Sequence, residues 1–232
     1  MISVRCGITG FENPTLPFRM KRLSLTELFV HSPTSMKLVE CPVRSTSLGV
    51  DKDDWLLIDT ALTPGSCDTV LLRNHDELFV MKWSDAAAHF SDDFDCETIT
   101  LGVITLSIHH LLLTKPIPEH DSLSELDLDS LLNTQSYSSL LCKAEGNSML
   151  PFVASGDLLV LDRQVEIVEG DAVILVLNNE LVLKRIDREN RLLYSDNPSF
   201  ETHQVNKNDK VKVHGAVRHS LKIWRKPKCL PS

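Results

Sequence analysis

The sequence lacks the cysteine spacing of a metal site. Its six cysteines are scattered, with no C-x-x-C pair and no cluster with histidines at zinc-binding spacing. We therefore expect free, buried thiols, and neither a metal nor a cofactor. His109 and His110 adjoin an apolar run, but neighbouring residues of a strand face opposite ways and do not easily share a metal.

Long apolar runs are also missing. No window approaches the ~18 uninterrupted apolar residues of a membrane span, and the start MISVRCGITG has no long apolar core. These absences predict a cytoplasmic protein with no membrane contact. The run LGVITLSIHHLLL (101–113) is too short and too rich in β-branched residues for a span, so it favours a buried strand followed by a connection.

Positive charge is in deficit. Lys and Arg total 24 against 32 Asp and Glu, which gives a net charge of -8. Such a surface repels a phosphate backbone, so direct binding of nucleic acid is disfavoured.

What the sequence does contain is an internal repeat. A shift of 103 positions aligns residues 23–83 with the second half without a gap, and it brings charged and turn positions into register as well as apolar ones. A chance match between β-rich segments is therefore disfavoured. The aligned stretches are LSLTELF (23–29) with LDLDSLL (126–132), DWLLID (54–59) with DLLVLD (157–162), Asp68 with Asp171, and ELFVMKW (77–83) with ELVLKRI (180–186).

Further along the chain the spacing changes. LGVI (101–104) matches HGAV (214–217), so the second copy carries ten more residues, around LLYSDNPSFETHQV. Between the copies, TKPIPEHDS (114–122) has two prolines and mixed charge, which is typical of an extended linker. We expect two small, mainly β domains: residues 1–113, with an N-terminal arm at 1–10, and residues 123–232, each beginning with a short helix or turn.

The second copy offers a nucleophile and a base. Ser148 lies in KAEGNSMLPF, and a serine hydroxyl needs a nearby base to react at neutral pH. Lys184 follows the apolar residues of ELVL, where burial would lower the pKa of the amine and leave it able to accept the serine proton. In isolation such a pair means little, so its weight depends on the surrounding pattern.

That pattern, GNSM followed by GDLLVLD, GDAVILV and ELVLKRI, resembles the peptidase domain of the LexA/UmuD family of self-cleaving proteins. The resemblance implies a β-clip type fold, with Ser148 as nucleophile and Lys184 as general base. Gly146 would permit the turn that exposes the serine, and the amides beside it, with Asn147 and Met149, would support an oxyanion.

The likeness is to the UmuD branch of that family. GFENPTLPF and RLSLTELFVHSP resemble the start of the trimmed form of UmuD, and we expect no helix-turn-helix region ahead of them. The resemblance implies an accessory subunit of a translesion polymerase in the SOS response to DNA damage. Its implied partners are a Y-family, UmuC-like polymerase subunit and a RecA-like recombinase filament.

The first copy lacks the base. Ser45 occupies the nucleophile position within CPVRSTSLG, but Met81 stands in the place of Lys184, and the neighbouring Lys82 should point to the opposite face of its strand. We therefore expect the first copy to be inert. Because UmuD proteins are dimers, the two copies should pack as an intramolecular pseudo-dimer.

Self-cleavage is the competing interpretation. The family cuts at Cys-Gly or Ala-Gly bonds, and Cys6-Gly7 is such a dipeptide, but only five residues precede it, and Gly10-Phe11 already resembles a trimmed start. The sequence leaves open an active serine protease that cleaves its own arm or a bound partner.

Overall fold

In a computed structural model, the structure describes residues 23–89, 98–112 and 126–227. Three short helices are α1 (Leu25–Phe29), α2 (Trp83–His89) and α3 (Leu128–Leu131). The strands are β1 (Met36–Glu40), β2 (Trp55–Asp59), β3 (Thr69–Asn74), β4 (Glu77–Lys82), β5 (Thr98–His110), β6 (Ser139–Lys143), β7 (Leu158–Asp162), β8 (Ala172–Leu177), β9 (Glu180–Asp187), β10 (Leu192–Tyr194), β11 (His203–Gln204) and β12 (Val211–Ile223).

The described strands join in one antiparallel sheet with two long strands at its centre. Its main order is β1-β2-β5-β12-β8-β9-β10-β11; β3 also pairs with β5 and β4, and β7 also pairs with β12 and β6. The central strands β5 and β12 are each 13 residues long, and bulges let different stretches of each pair with different neighbours. The mainly β fold expected from the sequence is confirmed.

The two halves have equivalent strand registers. Met36 pairs with Asp59 between β1 and β2, and Ser139 pairs with Asp162 between β6 and β7, which is the same pairing shifted by 103. The β3·β4 hairpin corresponds in the same way to the β8·β9 hairpin. The sequence repeat is thus reproduced in the hydrogen-bonding pattern of the sheet.

Repeated aspartates explain why the turns match. Asp54 accepts from the amide of Asp51 at 2.7 Å, and Asp157 accepts from the amide of Ala154 at 2.8 Å. Buried carboxylates that cap loop amides fix the turn before a strand, so the same residue at the same offset gives the same local structure. Two more pairs of aspartates are equivalent in the same way. Asp59 and Asp162 accept from the amides of Ala61 and Gln164. Asp68 and Asp171 accept from the amides of Gly65 and Val168.

The halves meet through β5 and β12 in a self-complementary register. Ile108 pairs with Leu221, and these two residues are also equivalent under the shift of 113 that relates the strands. On either side, His109 pairs with Ser220 and Ser107 pairs with Lys222, so each contact has its mirror image. The pairing of these two strands is therefore symmetric about the Ile108–Leu221 pair.

The short helices repeat that symmetry. Ser24 donates to Asp129 at 2.6 Å, and Thr26 donates to Asp127 at 3.0 Å; Ser24 corresponds to Asp127 and Thr26 to Asp129. A buried cluster beneath the helices combines apolar side chains from both halves. Its largest fully buried members include Leu25, Met36, Leu57, Leu106, Ile108, Leu128 and Leu132.

Asp129 caps a helix of the opposite half. Its carboxylate accepts from the amides of Leu25 and Thr26 at 3.0 and 3.1 Å, and from the hydroxyls of Ser24 and Thr134, both at 2.6 Å. Burial raises the pKa of this carboxyl, but the hydrogen bonds outweigh burial and leave the pKa below its usual value. Asp129 therefore ties the two halves together in its ionised form.

Replacing this carboxylate should destabilise the fold. We expect Asp129→Ala to lower the free energy of unfolding by about 3 kcal/mol, because buried donors from both halves lose their acceptor. Urea unfolding measures the loss, with Asp76→Ala at an exposed position as control. Equal stability of the two variants would contradict a role for Asp129 in joining the halves.

Other sequence expectations have mixed outcomes. The strand expected within 101–113 is β5, and the short helices expected at the start of each copy are α1 and α3. Cys41 and Cys142 are buried as expected, but the expectation is wrong for Cys67, which lies exposed beside a turn. The linker at 114–122 lies outside the described residues, and none of the described helices has the length and apolar character that a bilayer crossing requires.

Candidate active site

A cavity of about 430 Å³ lies in the second half, between the end of β6, the loop that follows it, and strands β8 and β9. Ser148 and Lys184 both line it. Most of the remaining wall is apolar, and Phe200 and His203 contribute from the segment between β10 and β12. The two residues that the sequence singled out, 36 positions apart, thus face a common space.

The loop around Ser148 is fixed by hydrogen bonds. Gly146 has a φ of 91°, a left-handed conformation that favours glycine. Asn197 holds the next residues: its side-chain amide donates to the Asn147 carbonyl at 2.8 Å, and its backbone amide donates to the Ser148 carbonyl at 3.0 Å. Met149 is buried and anchors the loop in the core.

Lys184 lies on β9 in a partly desolvated position. Burial lowers the pKa of its amine below the usual value, which increases the fraction present as a neutral base. Its Nζ donates to Ser195 Oγ at 2.5 Å and lies 5.7 Å from the centre of the Phe200 ring. Within the described part of the chain no hydrogen bond joins Lys184 to Ser148; the hydrogen-bond partner of the amine is Ser195.

Comparison with known proteins places this arrangement in a family. The model of the Peptidase S24-like family matches residues 108–218. Protein ImpA from Escherichia coli is 33% identical over 101 residues, an alignment that covers 42% of this chain and 68% of ImpA. The chain belongs to the S24 peptidase-like family.

Other relatives of this S24 peptidase-like chain match over similar or shorter stretches. Protein ImpA from Salmonella typhimurium shows the same identity and coverage as the E. coli protein. The LexA repressor of Oleidesulfovibrio alaskensis is 33% identical over 76 residues, which is 32% of this chain and 37% of the repressor. The chain therefore spans little more than a third of that relative's length.

The ten extra residues of the second copy supply side chains of this cavity and its surroundings that the sequence analysis did not predict. Ser195 and Asn197 contact Lys184 and the Ser148 loop, and Phe200 and His203 line the cavity. His203 is itself held by Asp209, with Nε2 3.1 Å from the carboxylate. The available signal was the insertion itself, because a segment present in only one copy marks where the copies differ in structure.

The counterpart positions in the first half have different surroundings. Met81 on β4 pairs with Val70 of β3, just as Lys184 on β9 pairs with Val173 of β8. The Met81 side chain packs against a cluster that includes Leu72. Ser45 forms a bridge with Val50, and its hydroxyl lies 3.2 Å from that of Ser47. The neighbouring Lys82 is exposed. These registers support the alignment of Met81 with Lys184 in the S24 fold.

Cys6 and Gly7, the candidate cleavage site, lie outside the described residues, as do Gly10 and Phe11. Within residues 23–89, 98–112 and 126–227, no three His, Cys, Asp or Glu side chains come together as a metal site.

Proposed function

We propose that this chain is a UmuD-like accessory subunit of an error-prone translesion DNA polymerase, built as a fused pseudo-dimer with a Ser-Lys centre only in its second half. The observation that carries the proposal is the symmetric β5·β12 register combined with asymmetric sites. A methionine and a lysine occupy the same register position in the two hairpins. Membership of the S24 family and the UmuD-like motifs support the assignment.

Fusion accounts for the asymmetry. In a dimer of separate identical chains both sites must have the same sequence, whereas a fused chain lets one half lose its site and keep its packing surface. Covalent linkage also raises the effective concentration of the second half and prevents exchange of partners. The shared core and the mutual helix contacts of Ser24 and Thr26 suit a pair that stays associated.

The proposed chemistry uses Ser148 and Lys184. The neutral amine accepts the proton of the Ser148 hydroxyl as Oγ attacks a peptide carbonyl, and the leaving amine takes up that proton as the peptide C–N bond breaks. Water then hydrolyses the ester on Ser148, which releases the carboxylic acid product and restores the hydroxyl. Amides of the loop around Gly146 would stabilise the oxyanion. For this step the Lys184 amine leaves Ser195 and turns toward Ser148, a change between two arrangements that a bound peptide would favour.

The proposed partner is the catalytic subunit of a Y-family polymerase, with a RecA-like filament as the stimulus. The net charge of -8 favours action through such proteins over direct contact with DNA. The cytoplasmic location expected from the sequence stays a prediction.

A stoichiometry measurement tests the accessory role. Mixed with the Y-family catalytic subunit of the same organism, the protein should form a complex with one chain per polymerase in sedimentation, since one chain supplies both halves of the dimer. A Y-family polymerase that functions without such a subunit is the control. Two chains per polymerase, or no complex, would contradict the proposal.

A second candidate function, an active self-cleaving protease, is favoured by the desolvated Lys184 amine in the same cavity as Ser148. Incubation at alkaline pH should then release a fragment starting at Gly7, detected by intact mass. Ser148→Ala and Lys184→Ala should both abolish it. An unchanged mass of the wild-type protein would contradict self-cleavage, and the accessory role would be the remaining candidate.

A further inference from the structure

We propose that the first half positions the nucleophile of the second: His109 and Arg44 clamp Phe152, and thereby hold the loop that carries Ser148. This inference rests on the proposed role of Ser148 as a nucleophile. It assigns to the half without a base a positioning function in the chemistry of the other half.

The clamp consists of two cationic or aromatic groups on one buried ring. The His109 ring stacks on Phe152 with centroids 4.7 Å apart and planes 15° from parallel. Arg44 Cζ lies 5.0 Å from the same ring centre. Phe152 is only 8% exposed, and both of these ring contacts come from the first half.

Both clamp residues are anchored to one turn of the first half. His109 Nδ1 lies 2.7 Å from Asp54 Oδ1, and Asp54 is itself held by the Asp51 amide. Arg44 Nε lies 3.6 Å from the Asp51 carboxylate. Because the Asp54 side chain is only 3% exposed and also accepts from the Asp51 amide, its contact gives the His109 ring a defined orientation.

The position of Phe152 is coupled to Ser148 through a compact loop. The Val153 amide donates to the Met149 carbonyl at 3.0 Å, and the Leu150 amide donates to the Asn147 carbonyl at 3.4 Å. These bonds enclose Ser148 and Phe152 in one hydrogen-bonded segment. Asn197 holds this segment from the other side, so Ser148 lies between an anchor in its own half and a clamp from the other half.

The mirror-image contact serves a different loop and provides a control. Lys222 corresponds to His109 under the shift of 113, and its Nζ donates to the Leu48 carbonyl in the loop of Ser45. It also lies 4.6 Å from the Trp224 ring centre. Each half therefore contacts the other: Lys222 holds the loop of Ser45, whereas His109 stacks on Phe152 of the loop that carries Ser148.

The test is a double-mutant cycle on the reactivity of Ser148 in the full-length protein. A fluorophosphonate probe phosphonylates an activated serine with loss of fluoride, and the rate is measured across alkaline pH. We expect His109→Leu and Phe152→Leu each to lower the plateau rate by about tenfold, because small misplacements of a nucleophile are costly. The double variant should be no slower than either single variant.

Further variants separate positioning from general stability. Arg44→Gln, at a side chain 61% exposed, should also lower the rate while unfolding in urea changes little. Lys222→Met should slow Ser148 labelling much less than His109→Leu does, because Lys222 contacts the Leu48 carbonyl of the other loop and not Phe152. The pH midpoint should be the same in every variant, since the Lys184 surroundings are unaltered.

Two failures are distinguishable. If wild-type Ser148 is not labelled, or is labelled independently of Lys184, the proposed function and this inference both fall. If labelling depends on Lys184 but the effects of His109→Leu and Phe152→Leu simply multiply, or Lys222→Met slows the reaction as much as they do, the clamp alone is overturned.

Discussion

Replacing Lys184 by methionine, the residue at the equivalent register of the first half, should lower the rate of Ser148 phosphonylation by about 100-fold or more. A positioned general base contributes ~10²–10⁴ to such reactions. The substitution keeps an unbranched side chain in the partly buried strand β9 and removes only the amine. It therefore converts the second site to the state of the first with little change in packing.

The pH dependence identifies the base. The wild-type rate should rise with pH as the Lys184 ammonium loses its proton, then level off below the usual lysine value because burial lowers the pKa. Lys184→Met should lack this ionisation. Lys212→Met, at an exposed position of β12, is the matched control and should react as wild type.

An alternative base lies in the same cavity. His203 lines it and is held by Asp209. If His203→Gln removed the reactivity of Ser148 and Lys184→Met did not, the assignment of the base would be wrong.

The second large effect is a loss of stability in mild acid, caused by a histidine pair between the halves. His110 and His219 lie opposite each other on β5 and β12, with their Nδ1 atoms 3.0 Å apart. Burial lowers the pKa of His110 to about 4, and nearby His109 adds to this shift. Burial lowers the pKa of His219 to about 3, and His110 and His109 further disfavour a proton on it. Arg218 adds to the shift of His219.

The direction of this stability change follows from the difference in proton binding between the folded and unfolded states. In the unfolded chain both rings bind a proton below about pH 6.5, but in the folded protein they stay neutral until the pH reaches the lowered values. The unfolded state thus gains protons first, and the pair's stabilising effect falls as the pH decreases from about 6.5 toward 3. Between about pH 7.5 and 5 the loss should be about 2 kcal/mol for each histidine.

Urea unfolding at the two pH values measures this loss. A variant with both His110→Phe and His219→Phe binds no proton here, so wild type should lose about 4 kcal/mol more than the variant. His75→Asn, in an exposed turn with φ of 52°, is the control and should behave as wild type. Parallel pH profiles for wild type and the double variant would contradict the account of the pair.

The repeat made much of the sheet predictable from sequence. Asp54 and Asp157 begin their strands with the same amide contacts because local turn chemistry depends on residues close in sequence. Strand alternation likewise separated Met81 from Lys82, and the structure has Met81 packed and Lys82 exposed. Features that depend on neighbouring residues in the sequence were therefore predicted correctly.

Contacts between distant segments were not predictable in this way. Nothing local indicates that Asp129 caps α1 of the other half, or that Phe152 stacks on His109. The hydrogen bond from Lys184 to Ser195 also depends on how the inserted segment returns to β9. Such pairings follow from tertiary packing between segments far apart in the chain. A local sequence pattern does not indicate them, and the inserted segment has no counterpart in the first half for comparison.

Mapping the phosphonylated serine in the wild-type protein tests the central claim most directly. After labelling at alkaline pH, where the lowered pKa of Lys184 increases its neutral fraction, peptide mass spectrometry should find the adduct on Ser148 and none on Ser45. Equal labelling of the two serines, or an adduct on Ser148 that persists at the same rate in Lys184→Met, would contradict a pseudo-dimer with a single lysine-activated site.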